Sequence, residues 1–225
     1  MRIVITLSIL SIFLLAFSCG EDEQAFSSVR VEPIFPIEIT PSNSTFKLGD
    51  TIQIKASFSD SILEYYTKKK YKLENLDFRT RIILLEVVKS DVYFTELPGA
   101  AGAYSVFNRK GGVKDLVSSA GNFEFVYKDK YYSVDAALIP QKTGVFLISF
   151  YYKAPSSTLF PQIQLPDGPD GTKRKAIKPA HRYVINNGKN NHDLLMKNVK
   201  QLLYRDTTDY DYWFERYGTF TFEVK

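Results

Sequence analysis

Thr51-Ile52-Gln53-Ile54-Lys55-Ala56-Ser57-Phe58-Ser59-Asp60 is the stretch on which the fold class turns. Ile52, Ile54, Ala56 and Phe58 alternate with Gln53, Lys55, Ser57 and Ser59. Successive side chains of an extended chain point to opposite faces, so this period of two marks a strand with one face on a core and the other in water. Downstream, 78–89 is the next strong run, and Ile82-Ile83-Leu84-Leu85 is apolar on both faces, which predicts a central strand covered on both sides. Residues 122–127 and 132–138 flank Lys128-Asp129-Lys130 and predict a hairpin. After the turn Pro140-Gln141-Lys142-Thr143-Gly144, a β-rich run follows over 145–152, and a final strand over 218–225 places Phe220, Phe222 and Val224 on one face.

Working outward from these strands, 96–115 carries Gly99, Gly102, Gly111 and Gly112 and is expected to be a long loop. Upstream, Val29, Val31, Ile34, Phe35, Ile37 and Ile39 suggest an extended segment. Pro33 and Pro36 remove backbone donors from it, which predicts an edge strand. An insertion is expected at about 154–217, before the last strand. Its first half is rich in proline (Pro155, Pro161, Pro166, Pro169, Pro179). Its second half holds Leu194, Leu195, Val199, Leu202 and Leu203 at helical spacing, with Asn190 or Asn191 as cap.

The N-terminus has a different character. Arg2 precedes the apolar run 3–17, and small Ser18 stands before Cys19, the single cysteine of the 225 residues. Fifteen apolar residues in a helix span about 22 Å, short of the roughly 30 Å hydrocarbon core, which favours an export signal over a permanent span. The chain turns polar at Gly20-Glu21-Asp22-Glu23-Gln24. With one cysteine there is no internal disulfide, so the core must stabilise the exported domain unaided. The 17 Phe, 15 Tyr and one Trp supply ample material for it.

Leu15-Ala16-Phe17-Ser18-Cys19 resembles the lipobox of bacterial lipoproteins, with Ala16 where the strict motif has Leu and a bulky Phe17. The resemblance implies cleavage before Cys19 and acylation of its sulfur, and acyl chains hold a protein at a bilayer through about 0.8 kcal/mol per buried CH₂. The acidic triplet Glu21-Asp22-Glu23 resembles a signal that sends some Bacteroidetes lipoproteins to the outer face of the outer membrane. The strand entries Gly49-Asp50-Thr51-Ile52-Gln53-Ile54 and Gln141-Lys142-Thr143-Gly144-Val145-Phe146-Leu147-Ile148 are similar to those of immunoglobulin-like domains in Bacteroidetes-type surface lipoproteins. The fold class expected is therefore all-β: an immunoglobulin-like antiparallel β-sandwich with a loop-plus-helix insertion before the last strand. The organisation expected is a signal peptide over 1–18, a lipidated tether over 19–28 and one domain over 29–225.

The search for chemistry returns little. Twenty-nine Lys and Arg against 25 Asp and Glu make a mixed surface, and nucleic acid, which needs clustered cations, is not expected as a partner. The tight run Lys68-Lys69-Lys70-Tyr71-Lys72 is expected to be a solvated loop or edge strand. His181 and His192 stand in no nucleophile or metal motif and are expected to be exposed polar groups; no cofactor and no metal are expected. Asp167, Asp170 and Gly171 lack the spacing of a calcium loop. The aromatic stretch around Tyr212, Trp213 and Tyr217, with Tyr183, is the candidate binding surface, since exposed Tyr and Trp stack on sugars or anchor protein interfaces. The function expected is a non-enzymatic envelope lipoprotein that binds a protein or glycan. A carbohydrate-active enzyme with a carboxylate pair, and a structural assembly lipoprotein, are the competing readings.

Overall fold

The computed structural model describes residues 27–30, 32–76, 80–88, 97–152, 174–177, 181–198 and 211–225. The chain runs through β1 (Ser27–Arg30), β2 (Ile34–Thr40), β3 (Thr45–Phe46), β4 (Ile52–Ser59), β5 (Ser61–Leu63), β6 (Lys70–Lys72) and β7 (Thr80–Glu86). There follow β8 (Tyr104–Lys110), β9 (Gly112–Val117), β10 (Ala120–Glu124), β11 (Val126–Lys128), β12 (Tyr131–Pro140) and β13 (Gly144–Tyr152). Last come β14 (Arg174–Ile177), β15 (Arg182–Ile185), helix α1 (His192–Asn198), a π-helical turn Asp211–Arg216 and β16 (Phe220–Val224).

The fold is all-β, with two six-stranded sheets. The first has the order β11-β12-β4-β2-β15, with β8 beside β12, and the second β3-β16-β13-β7-β10-β9. Both contribute to one apolar core: Ile37, Ile54 and Val134 from the first meet Ile82, Phe123, Phe146 and Phe222 from the second. The alternation over 52–58 is the cause on the first sheet, since Ile52, Ile54 and Ala56 are buried. In β7 the apolar run is split between the two faces. Ile82 and Leu84 join the main core, whereas Leu85 meets Leu147, Leu195 of α1 and Phe214 in a second cluster. This strand is central and covered on both sides, as its composition predicts.

Four expectations are corrected. The sheets are mixed and not wholly antiparallel: β15 pairs with β2, β16 with β3, and β1 with β14 in parallel. The segment with two prolines is no edge. Residues 34–37 pair with β15 and residues 38–40 with β4, because Pro36 has no N–H to carry the β4 ladder further. Within 96–115, Tyr104–Lys110 pairs with β12, and Gly111 and Gly112 form the corner to β9. Both glycines have positive φ, and a Cβ on Gly111 would collide with the Glu124 carbonyl, so they mark a sharp crossing between sheets rather than a loop. The hairpin expected over 122–138 is divided. β10 pairs with β7 and β9, and only residues 126–128 pair with β12. Phe125 stands at the break, its ring against Phe58 and Phe123, so packing it against the core carries the chain from one sheet to the other.

The expected insertion is in part scaffold, because β15 completes the first sheet. In its helical part, the Asn190 side chain accepts the His192 N–H at 3.1 Å and caps α1. Leu195 is buried, while Val199, Leu202 and Leu203 lie outside the described residues. No described helix is long and apolar enough to cross a membrane. Truncating Phe222, which is fully buried, to Ala is expected to cost about 3–5 kcal/mol in urea unfolding. Val117→Ala, at a side chain 72% exposed, is expected to stay within about 0.5 kcal/mol.

Candidate functional site

Of the residues singled out from sequence, Cys19 lies outside the described residues, as do the side chains of Tyr212 and Trp213. Tyr217 is half-buried, its ring centroid 6.0 Å from that of Tyr151. Tyr183 is corrected outright as a surface aromatic, because it has no exposure. Its hydroxyl is 2.8 Å from Thr80 Oγ1 and 3.2 Å from His181 Nδ1, and its ring packs on Phe35 and Phe150. The alternation of β15 turns Tyr183 inward, and Gly218 approaches so closely that a Cβ there would sit 2.6 Å from the Tyr183 carbonyl oxygen. His181 is also no surface group. Burial alone pushes its imidazole down to about 3, and its ring stands edge-on to Phe35.

A cleft of about 280 Å³, open to solvent, runs along β15. One rim is the turn that carries Tyr65 and Lys68, the other carries Asn187 and Asn190, and Phe214 and Glu215 close the side. Ile34, Val184 and Ile185 add apolar surface. Tyr65 is the aromatic of the cleft, and it gathers two cations: Lys68 Nζ lies 4.2 Å and the Arg182 guanidinium carbon 3.6 Å from its ring centroid. Cation–π contacts of this kind are worth about 0.5–2 kcal/mol. Lys68 and Asn187 both hold left-handed backbone, with φ +55° and +54°. Asn tolerates that region because its short side chain bonds locally, whereas for Lys it costs about 1 kcal/mol or more.

A buried ionic hub sits behind the cleft. The Glu32 carboxylate, with no exposure, accepts from Arg216 Nη2 at 3.0 Å, from Arg182 Nη2 at 3.4 Å and from the Tyr66 hydroxyl at 3.4 Å. Arg182 also reaches the rim carboxylate of Glu215 at 3.5 Å. Glu64 organises the turn: it accepts from the Thr67 N–H at 2.6 Å, the Thr67 hydroxyl at 2.7 Å and the Glu32 N–H at 3.0 Å. Burial raises its carboxyl, and these bonds, with one from the Tyr66 backbone, outweigh burial and hold it below the ordinary range.

The lining supplies stacking, cation, amide and carboxylate groups for recognition. Among the described lining residues there is no Ser, Thr, Cys or His, and Glu215 is the sole carboxylate. About 280 Å³ is near the lower end of ligand sites, which run from about 300 to 1,000 Å³. A second hollow of similar size, on the outer face of the first sheet, alternates Glu38, Lys55 and Asp135 without an aromatic, the pattern of a solvated face. Asn187 and Glu215 lie within the expected insertion at about 154–217, near the candidate aromatic stretch, whereas Tyr65 and Arg182 were not legible as site residues in the sequence. The Asn186-Asn187-Gly188 turn and the lysine run that begins at Lys68 were the available signals.

No protein-family model and no curated protein matches the chain. Among solved structures, the reeler domain of human F-spondin is similar over 61% of this chain and 87% of its own, at 10% identity and a TM-score of 0.28. At that score the likeness transfers neither topology nor ligand.

The buried imidazole sets a pH dependence. An unfolded chain protonates His181 near its ordinary 6.5 and the folded chain only near 3, so between these values the unfolded state holds more protons. Stability therefore falls as pH falls through that window, by at most about 1.4 kcal/mol per pH unit. Urea unfolding at pH of about 7 and about 4 should show a smaller loss for His181→Phe than for the wild type, the carboxylates being common to both.

Proposed function

We propose that this chain is a lipid-anchored cell-envelope protein, non-enzymatic, whose immunoglobulin-like β-sandwich binds a glycan or a protein in the cleft along β15. Cys19 carries the anchor and the outer membrane is its address. The cleft lining carries the reading: the Lys68 cation over Tyr65, the Asn187 and Asn190 amides and the Glu215 carboxylate share one solvent-open lining and are polar chemistry for holding a ligand.

The strand order supports the immunoglobulin-like part of the reading. With β2, β4, β12 and β8 or β11 as strands A, B, E and D, and β16, β13, β7, β10 and β9 as G, F, C, C′ and C″, the neighbours follow those of a variable-type domain. The departures are in the chain order, since β8 precedes β9 and β10 and β9, in the place of C″, precedes β10, in the place of C′, and in β15, an added strand parallel to β2. The enzymatic reading requires two carboxylates facing one cleft at about 5–10 Å. Glu215 faces this cleft alone among the described residues, while Glu32 is held by Arg182 and Arg216 behind it.

Mass spectrometry of the mature protein is expected to show a chain that starts at an acylated Cys19; a bare thiol there, or a chain that starts at Met1, overturns the anchor. For the cleft, a glycan array and a pull-down should be run with Lys68→Gly and Asn187→Gly. Glycine accepts the positive φ at both positions, so each variant deletes a rim group without adding strain. Ligand affinity is expected to fall about tenfold with the melting temperature kept, in keeping with about 1.4 kcal/mol for a lost polar contact. Binding at wild-type strength by both variants would remove the cleft as the site.

A further inference from the structure

The end of the molecule at which β2 begins and β4 finishes is basic. β5 and β6 project there as a separate two-stranded hairpin, paired from Ser61–Lys72 to Leu63–Lys70. Ile62 and Leu73 root it in the core, while the tip exposes Tyr66 at 52% and Leu63 at 37%. Lys68, Lys69, Lys70 and Lys72 are exposed on it. The β11–β12 turn lies against its base, with the Asp60 N–H on the Lys130 carbonyl at 2.8 Å and the Tyr127 hydroxyl on Asp60 Oδ2 at 3.0 Å. That turn adds exposed Lys128 and Lys130 and the 54% exposed ring of Tyr131. Among the described residues of this end, the exposed carboxylates include Glu74, paired with Lys72 at 2.7 Å, Glu215, paired with Arg182 at 3.5 Å, and Asp129, fewer than the six exposed lysines. Asp60 and Glu64 are buried. The opposite end is balanced: Lys142 pairs with Glu86 at 2.7 Å and Lys225 with Glu223 at 3.1 Å.

The chain from the anchor arrives at the basic end. The Tyr65 N–H bonds the Glu32 carbonyl at 2.9 Å, and Pro33 bridges to Glu64, so the entering segment passes directly beside the hairpin turn. Seven residues, 20–26, lie between Cys19 and β1, and the eight Cα steps from Cys19 to Ser27 reach at most about 29 Å when fully extended, close to the length of one long strand of the sheets.

We propose that the β5–β6 hairpin is the membrane-facing foot of the protein, its lysines and Tyr66 seated on anionic phospholipid headgroups. The inference rests on the lipid-anchor reading of Cys19. An acyl anchor fixes distance from the bilayer and leaves orientation free. A basic patch adds orientation, because each Lys near an anionic surface is attracted within a Debye length of it, and amphipathic rings settle at the headgroup level. Lys68 folds back over Tyr65 at the cleft, which leaves Lys69, Lys70, Lys128 and Lys130 as the outward cations.

The test uses the mature acylated chain in vesicles of phosphatidylcholine, alone or with a minority of phosphatidylglycerol. With Cys19 acylated, a cysteine introduced by Leu63→Cys, at a side chain 37% exposed on the hairpin, is the single free thiol and takes an environment-sensitive dye. A second chain carries the dye through Leu48→Cys, at a side chain 51% exposed beside the end of β16. The dye at position 63 is expected to shift to the blue on phosphatidylglycerol vesicles and that at position 48 to stay at its value in water. The shift should be lost in Lys69→Glu with Lys70→Glu. It should also be lost without any substitution when salt rises from about 0.1 M to about 1 M and the Debye length falls from about 10 Å to 3 Å. A dye at position 63 that stays in water on both vesicles, or shifts equally on both, overturns the proposal. Failure of the anchor reads out separately, as a chain that does not float with phosphatidylcholine. The foot is then judged on the Cys19→Ser chain, which is expected to float with phosphatidylglycerol vesicles alone, and absence from those also overturns it.

Discussion

Glu32 is a carboxylate removed from water at the point where the chain enters its folded body, and three separate segments converge on it. Arg182 comes from β15, Arg216 from the π-helical turn, Tyr66 from the hairpin turn, and the backbone of Glu32 is in turn held by Glu64 and Tyr65. Burying a charge is costly unless it is paired and hydrogen-bonded, and removing one partner of such a group costs about 3–5 kcal/mol. The hub therefore makes these segments mutually dependent. The cleft on β15 exists because Arg182 is held between Glu32 below, Glu215 beside and Tyr65 above. Stability of the entry and geometry of the site are one network here, not two.

The same economy governs the sheets. Phe125, Gly111 and Gly112 stand where the chain passes from one sheet to the other, and at each crossing the cause is a ring packed against the core or a backbone that admits no Cβ. Between the layers, His181, Tyr183 and Thr80 form a buried polar relay that ties β15 to β7. Each hydroxyl there has a partner, which is the condition for polar groups to rest in an apolar core. The charge on the outside is distributed unevenly in consequence of what is paired. At the entry end Glu32, Asp60 and Glu64 are drawn inward, and the lysines of the hairpin and the neighbouring turn outnumber the carboxylates left exposed beside them.

What the sequence determined by itself was local periodicity. The alternation over 52–58, the two-faced run 82–85 and the apolar face of 220–224 each specify a strand and its buried face, because side-chain direction in a strand depends only on position along the chain. Asn190 as a helix cap was legible for the same reason: the bond it makes spans two residues. Only the tertiary structure decided partners. Whether 122–128 is one strand or two, whether Pro36 lies at an edge, and whether Tyr183 faces a ligand or a core depend on which distant segment lies alongside. The four residues of β15 show no period long enough to read, and their parallel seat on β2 depends on Glu32, 150 residues away in sequence from Arg182. A cleft built from Tyr65, Arg182, Asn187 and Glu215 has no signature in a linear chain, because its spacing exists only after burial of the core and pairing of the hub have brought those segments together.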